Sequence, residues 1–144
     1  MKYTQGQSNI KDVIDHLKEC DNQFIPCLSS KIDIDEYSQK LYNHAIRFEA
    51  WLGDKLIGLV ALYHNAIDEE LFITNVSVLK EYTGGGIAKS LMSSVIDYAK
   101  QLRLGTLRLE VNKQNIRALT FYKNLNFNVV NESTHSFFLI FYTK

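Results

Sequence analysis

Residues 81–88 read Glu81-Tyr82-Thr83-Gly84-Gly85-Gly86-Ile87-Ala88, with three consecutive glycines between a predicted strand and a predicted helix. Glycines leave the backbone amides uncovered by side chains and permit left-handed backbone angles. The helix that follows adds the positive end of its dipole, and the two features together bind anions such as phosphate. The stretch therefore predicts a phosphate-binding loop, with a plain glycine-rich turn as the alternative.

Two familiar nucleotide-binding patterns do not fit this loop. A Walker loop requires a Lys-Ser/Thr pair at a fixed offset, which the loop lacks. A dinucleotide-binding fingerprint requires GxGxxG near the first strand and a later acidic residue. A nucleotide-binding module using this loop is therefore disfavoured.

The segments on either side of the loop have clear periodicities. The helix predicted over residues 86–103 carries a wide apolar stripe, which is typical of a well-buried helix. Residues 70–78 alternate as a strand, but Ile73 and Val76 are an odd number of positions apart. One extra residue near Thr74-Asn75, a β-bulge, would place both on a single buried face.

The rest of the chain continues the alternation of helices and strands. Helices are predicted at residues 8–21, 33–45, 86–103 and 115–125, and strands at 47–51, 56–63, 70–78, 106–111, 127–131 and 136–142, with a short additional strand at 2–5. Gly105 is expected to end the third helix, and a turn at Asn65 to Glu69 to join two strands. The length of 144 residues fits a single domain over residues 1–144. The order predicts an α/β (α+β) fold with a mixed sheet and helices on both faces.

Two separated signatures resemble the GNAT family of N-acetyltransferases. The family's cofactor motif, Gln/Arg-x-x-Gly-x-Gly/Ala after a strand, corresponds to residues 83–88, with Thr83 in place of Gln or Arg. The second signature is similar to Asn115-x-x-Ala118-x-x-Phe121-Tyr122 followed by Leu125-Asn126-Phe127. Asn126 replaces the usual glycine, and asparagine tolerates left-handed angles better than most residues. The match, over roughly residues 46–130, implies a mostly antiparallel central sheet of six to seven strands.

The resemblance implies acetyl-CoA as the cofactor and gives the loop residues their roles. The loop and first helical turn would hold the pyrophosphate through Gly84, Gly85, Gly86, Ile87, Ala88 and Lys89. The bulged strand would splay from the next one, and its freed amides would contact the pantetheine arm and polarise the acetyl carbonyl. These amides belong to the segment containing Thr74, Val76, Ser77 and Val78. Asn115 resembles the family residue that hydrogen-bonds the pantetheine.

Two residues are the predicted catalytic groups. Tyr122 matches the family's general acid, since a phenol of ordinary pKa near 10 suits a departing thiolate; core packing is the alternative. Glu70, sixteen positions before Gly86, matches a glutamate of the protein-lysine branch and would be the base. The run 68–70 also reads as an ordinary acidic turn, and His64 and Glu110 are weaker candidates.

Composition disfavours several other classes of protein. Lys plus Arg and Asp plus Glu number 16 each, so no net field would gather nucleic acid or an anionic membrane. Two cysteines and a start unlike a secretion signal indicate free thiols and a cytoplasmic protein. No apolar run reaches the roughly 20 residues that span a bilayer, and the histidines lack metal-ligand spacing, so we expect no metal.

The acceptor is expected to be a primary amine of a small molecule or peptide, attacked directly in a ternary complex. Acidic residues outnumber basic ones across residues 12–36, which favours a cationic amine, although a solvated helix face is the simpler explanation. A non-catalytic acyl-CoA sensor or structural domain of the same fold is the second hypothesis, and Asn115 and Tyr122 favour the enzyme. The sequence is compatible with a homodimer.

Overall fold

The computed structural model describes residues 1–65, 67 and 69–143. These residues form seven strands and four α-helices: β1 (Lys2–Gln5), α1 (Ile10–Cys20), α2 (Ile34–His44), β2 (Ile46–Leu52), β3 (Lys55–Asn65), β4 (Glu70–Val78), α3 (Ile87–Gln101), β5 (Thr106–Asn112), α4 (Ile116–Asn124), β6 (Asn128–Glu132) and β7 (Ser136–Tyr142). The element order is the predicted one. The predicted turn at Asn65 to Glu69 includes Ala66 and Asp68, which lie outside the described residues.

The strands form one sheet in the order β1-β2-β3-β4-β5-β7-β6. β4 and β5 run parallel, whereas the other neighbouring strands run antiparallel. Leu17 of α1 and Leu41 of α2 pack with Leu59 on one face of the sheet. Leu91 of α3 and Tyr122 of α4 belong to the larger core on the other face. This confirms the predicted mixed, mostly antiparallel sheet with helices on both faces.

Three helices begin at polar side chains that accept hydrogen bonds from their first turns. Asn9 caps α1 in a reciprocal arrangement with Asp12, Asp33 caps α2, and Asn115 caps α4. α3 begins instead at Gly86, which has no side chain to offer, so the amides of its first turn remain available to a ligand. No helix in the described part of the chain is long and apolar enough to cross a membrane.

The predicted bulge on β4 is confirmed, and Thr74 is its extra residue. On β3, Ala61 pairs with Asn75 and Leu62 with Ile73, so Thr74 falls between two paired positions. Ile73 and Val76 consequently both contribute to the core on the α3 side of the sheet. The ladder with β5 runs from Glu70 to Ile73 and ends at the bulge.

The end of α3 differs from the prediction. α3 ends at Gln101, and Arg103, not Gly105, takes the left-handed conformation, with φ 57°. The Leu104 amide then donates to the Ala99 carbonyl at 3.3 Å, which closes the helix. The prediction that Gly105 ends α3 was therefore wrong.

Gly58 on β3 allows the first turn of α3 to lie close to the sheet. A Cβ at Gly58 would lie 2.9 Å from Ile87 Cγ2 and 3.1 Å from Leu91 Cδ1. We expect Gly58→Ala to lower the free energy of unfolding by about 1–3 kcal/mol, the usual cost of overpacking, as measured by urea denaturation. Gly105→Ala is the control, since no described atom lies within 4 Å of a Cβ there. Equal stability of the two variants would contradict this close contact.

Candidate active site

Two cavities meet where β4 leaves β5. The loop cavity, about 390 Å³, extends from the glycine loop to α4. The acceptor-side cavity, about 380 Å³, lies under residues 24–32 and α2. Both are lined by Phe24, Val76, Asn115, Ala118 and Tyr122. The two cavities are therefore neighbours, with Tyr122 in the lining of both.

The glycine loop has the backbone geometry of an anion site. Gly84 and Gly86 have φ of 85° and 83°, a region that favours glycine over every other residue. A Cβ at either position would have no described heavy atom within 4 Å, so both face open space. Thr83, the departure from the family motif, donates its hydroxyl to the Lys80 carbonyl at 2.8 Å. Thr83 therefore fixes the start of the loop.

Most of the predicted cofactor-binding residues line the loop cavity together: Val76, Ser77, Val78, Gly84, Gly86, Ile87, Ala88, Lys89 and Asn115. Gly85 lies between two of them in the loop, whereas Thr74 lines the acceptor-side cavity. Asn115 Oδ1 accepts the Ala118 amide at 3.1 Å. This bond uses one lone pair of the oxygen for the helix cap, so the second lone pair and the amide nitrogen of Asn115 are the groups available to a ligand.

Tyr122 is both a core residue and a wall of the two cavities. Its side chain is 8% exposed and makes edge-on contacts with Phe121 and Phe127 at ring-centroid distances of 5.2 and 5.8 Å. Burial raises the pKa of Tyr122 above its ordinary value, so the phenol keeps its proton at neutral pH. The packing and catalytic interpretations of this residue are therefore compatible.

Glu70 lies apart from Tyr122, at the first residue of β4. Its carboxylate accepts hydrogen bonds from Arg108 Nε at 3.3 Å and from the Thr106 hydroxyl at 3.2 Å. It shares a face with Thr74, as predicted, but the two are four positions apart along the strand, about 13 Å at the usual rise. The assignment of Glu70 as the general base stays a prediction, and the position of Glu70 does not favour it.

Glu110, a weaker candidate from the sequence, lines the acceptor-side cavity together with Tyr122 and Thr74. The side chain is exposed on β5, on the opposite face of that strand from the buried Leu109 and Val111. His64 is exposed at the position of β3 that pairs with Leu71. Glu110 is therefore the carboxylate residue among the described lining of the acceptor-side cavity.

A buried polar network beside the loop cavity was not predicted. His16 Nδ1 lies 2.9 Å from the Leu56 carbonyl, and Nε2 lies 2.8 Å from Ser77 Oγ. Asn75 Nδ2 donates to Ser77 Oγ at 2.9 Å and to the Leu59 carbonyl at 3.2 Å. Burial lowers the pKa of His16 to about 4, so the imidazole is neutral at pH 7. The signal for this network in the sequence was the position of His16 on the buried face of α1.

Six of the seven acidic residues across residues 12–36 are engaged locally, Glu36 being the exception among the described side-chain contacts. Asp15 pairs with Lys11, Asp35 with Lys18 and Glu19 with Lys55, while Asp21 binds Ser29 and both Asp12 and Asp33 act in helix caps. Such exposed pairs are worth little and project no field into a distant cavity. These contacts are those of an ordinary solvated helix face, and a cationic acceptor stays a prediction.

Comparison with known proteins establishes the class. The chain matches the model of the acetyltransferase (GNAT) family over residues 10–127 and belongs to this family. The uncharacterized N-acetyltransferase YvbK of Bacillus subtilis is 28% identical over 115 residues, which cover 80% of this chain and 70% of that protein. The N-alpha-acetyltransferase 30 of Schizosaccharomyces pombe is 29% identical over 111 residues, covering 70% and 74%.

Solved structures of the same fold agree with this assignment. The PaiA N-acetyltransferase of Thermoplasma acidophilum, in complex with coenzyme A, superposes with a TM-score of 0.76 at 19% identity, covering 97% of this chain and 98% of that one. A probable acetyltransferase of Staphylococcus epidermidis gives a TM-score of 0.78 at 20% identity, covering 99% and 100%. The protein is an acetyltransferase of the GNAT type, and its acetyl donor is acetyl-CoA.

Proposed function

We propose that this enzyme transfers an acetyl group directly to a primary amine of a small molecule or peptide in a ternary complex. Acetyl-CoA would occupy the loop cavity, and the amine would enter through the acceptor-side cavity. The observation that carries the proposal is the lining that the two cavities share, which includes Tyr122 and which would be their junction. Direct transfer requires such a junction, because the amine and the thioester must come within attacking distance.

The loop cavity has the groups that acetyl-CoA requires. The open amides of residues 84–89 and the positive end of α3 suit the pyrophosphate, and the open space above Gly84 and Gly86 leaves room for it. Val76, Ser77 and Val78 line the path from the loop to Tyr122, where β4 is no longer paired to β5. Acetyl-CoA supplies the acetyl group already activated as a thioester. Backbone amides of β4 near the bulge would polarise its carbonyl.

Two side chains at the junction would carry the protons. The Tyr122 hydroxyl would donate its proton to the departing sulfur. Burial raises the pKa of Tyr122, which keeps the phenol protonated at neutral pH but makes it a weaker acid, so the transfer depends on the negative charge that develops on the sulfur as its bond to carbon breaks. Glu110 would accept the proton of the amine, directly or through a water. The new bond joins the amine nitrogen to the acetyl carbon as the bond from that carbon to sulfur breaks. Solvent then restores the Tyr122 proton.

The choice between Glu110 and Glu70 has a direct test. A base must be deprotonated to act, so the rate falls as the pH drops through its pKa. We expect Glu110→Gln to lower kcat/KM by about 10²-fold and to remove this acidic limb from the pH profile. Glu70→Gln should keep the limb, because that carboxylate is held by Arg108. Loss of the limb in Glu70→Gln would restore Glu70 as the base, and retention in both would point to water.

The proposed activity is tested by acetyl-CoA consumption with a panel of acceptors. The panel contains polyamines, aminoglycosides, amino sugars and peptides with free amino groups. Release of coenzyme A that depends on one of these amines is the expected result. Tight binding of acetyl-CoA without turnover of any amine would favour the non-catalytic sensor.

The free thiols of Cys20 and Cys27 support the cytoplasm as the proposed compartment.

A further inference from the structure

Tyr37 of α2 reaches across the acceptor-side cavity to the bulge of β4. Its hydroxyl oxygen lies 3.1 Å from the Thr74 carbonyl oxygen and 3.0 Å from Thr74 Oγ1. Thr74 is the extra residue of the bulge, and such a residue is left out of the strand ladder. Tyr37 therefore provides a hydrogen bond to the carbonyl of a residue that has no paired position on β3.

This hydrogen bond constrains more than one carbonyl. A peptide group is planar, so fixing the Thr74 carbonyl also fixes the direction of the Asn75 N–H. The next side chain is fixed as well, because Asn75 Nδ2 donates to Ser77 Oγ and to the Leu59 carbonyl. Ser77 in turn contacts His16 of α1. The bulge is thus held by α2 at Thr74 and by α1 at Ser77.

The Tyr37 hydroxyl is suited to a permanent donor role. The side chain is largely buried, and this burial raises the pKa of Tyr37 to about 12. The phenol therefore stays protonated over the working pH range, and it can donate to a carbonyl only in this form. A part-buried hydrogen bond of this kind also costs free energy when one partner is removed.

We propose that Tyr37 is a positioning residue that holds the Thr74–Asn75 peptide in the orientation needed for turnover, and so couples α2 to the acetyl-polarising backbone of β4. This inference rests on the proposed function, in which amides near the bulge polarise the acetyl carbonyl. Tyr37 also lines the acceptor-side cavity. An acceptor that shifts α2 would therefore change the backbone that contacts the acetyl group.

Tyr63 offers a matched control for removing the Tyr37 hydroxyl. Its side chain packs in the same cluster under α2, and its own hydroxyl is buried without a hydrogen-bond partner among the described residues. Tyr63→Phe removes the same atom from a neighbouring tyrosine whose hydroxyl makes no hydrogen bond to the bulge. Any effect of general core disturbance should therefore appear in both variants.

The test compares steady-state kinetics of Tyr37→Phe and Tyr63→Phe with the wild type. We expect Tyr37→Phe to lower kcat about tenfold, because the loss of one hydrogen bond raises the activation free energy by an amount that corresponds to this factor. The KM for the amine and the affinity for acetyl-CoA should stay within about twofold of the wild-type values. Tyr63→Phe should keep the wild-type kcat. Equal kcat in both variants would overturn the proposal. A raised KM for the amine at unchanged kcat would also overturn it, because Tyr37 would then be an acceptor contact.

Hydrogen exchange supplies a readout that needs no activity. Tyr37→Phe should speed amide exchange at Asn75 and Val76, whereas Tyr63→Phe should not. Unchanged exchange there would refute the constraint on the bulge. If no amine supports turnover by the wild type, the proposed function fails, and exchange still decides whether Tyr37 holds the bulge.

A second replacement keeps the test decisive if Tyr37→Phe does not fold. Incorporation of 3,5-difluorotyrosine at position 37 retains the hydroxyl but makes it more acidic. Its phenolate cannot donate to the Thr74 carbonyl. The kcat of this protein should fall at an alkaline pH where the wild type is flat, and an unshifted profile would contradict the proposal.

Discussion

Replacing Tyr122 with phenylalanine is expected to lower kcat by about 10² to 10⁴-fold, the range typical of a lost general acid. The substitution removes the hydroxyl but keeps the ring that contacts Phe121 and Phe127 edge-on. The fold and the affinity for acetyl-CoA should therefore be retained. Thermal melting with and without acetyl-CoA checks both, and initial rates of coenzyme A release give kcat.

Tyr82→Phe is the control for this variant. Tyr82 lines the loop cavity near the glycines but not the part that both cavities share. Tyr82→Phe should therefore remove a hydroxyl from the same cavity with little change in kcat. Wild-type turnover in Tyr122→Phe would assign Tyr122 to core packing alone. Because burial raises the pKa of Tyr122, we also expect no alkaline limb from this group below about pH 10 in the wild type.

Features that depend on neighbours along the chain were predictable from the sequence. Asn9, Asp33 and Asn115 cap helices because their short side chains reach amides of the same turn. The bulge followed from a broken alternation, which only an added residue repairs without exposing Ile73 or Val76. Local geometry and a single buried face determine these features, so one sequence suffices to find them.

Features that depend on distance between elements were not predictable in the same way. The alternation of side chains along β4 correctly predicted which face Glu70 lies on. It could not predict how far the cleft extends along β4, because this extent depends on where the β4–β5 ladder ends, at Ile73. The Tyr37 and Thr74 contact joins residues 37 positions apart across the cavity. No local pattern encodes such a contact. Arg103 takes the left-handed position because α3 ends at Gln101, before Gly105 is reached.

The glycine loop gives the second large prediction, which concerns binding of acetyl-CoA. A ligand that binds only the folded state raises stability by about 2.7 kcal/mol at a concentration one hundred times its Kd. Wild-type protein should therefore melt at a higher temperature with acetyl-CoA, and ATP should give a smaller shift. Gly86→Val should abolish the acetyl-CoA shift, because its side chain would occupy the open space over the loop amides.

The control for Gly86→Val must separate backbone strain from loss of the site. Valine at the Gly86 φ of 83° is strained by about 1–2 kcal/mol, which lowers the melting temperature without any ligand. Gly53, in the turn between β2 and β3, has φ 60°, and a Cβ at this position would have no described heavy atom within 4 Å. Gly53 does not line the loop cavity, so Gly53→Val carries similar strain without filling the proposed site. Gly53→Val should melt lower yet keep the full acetyl-CoA shift. An equal shift in both variants would mean that acetyl-CoA does not bind over Gly86.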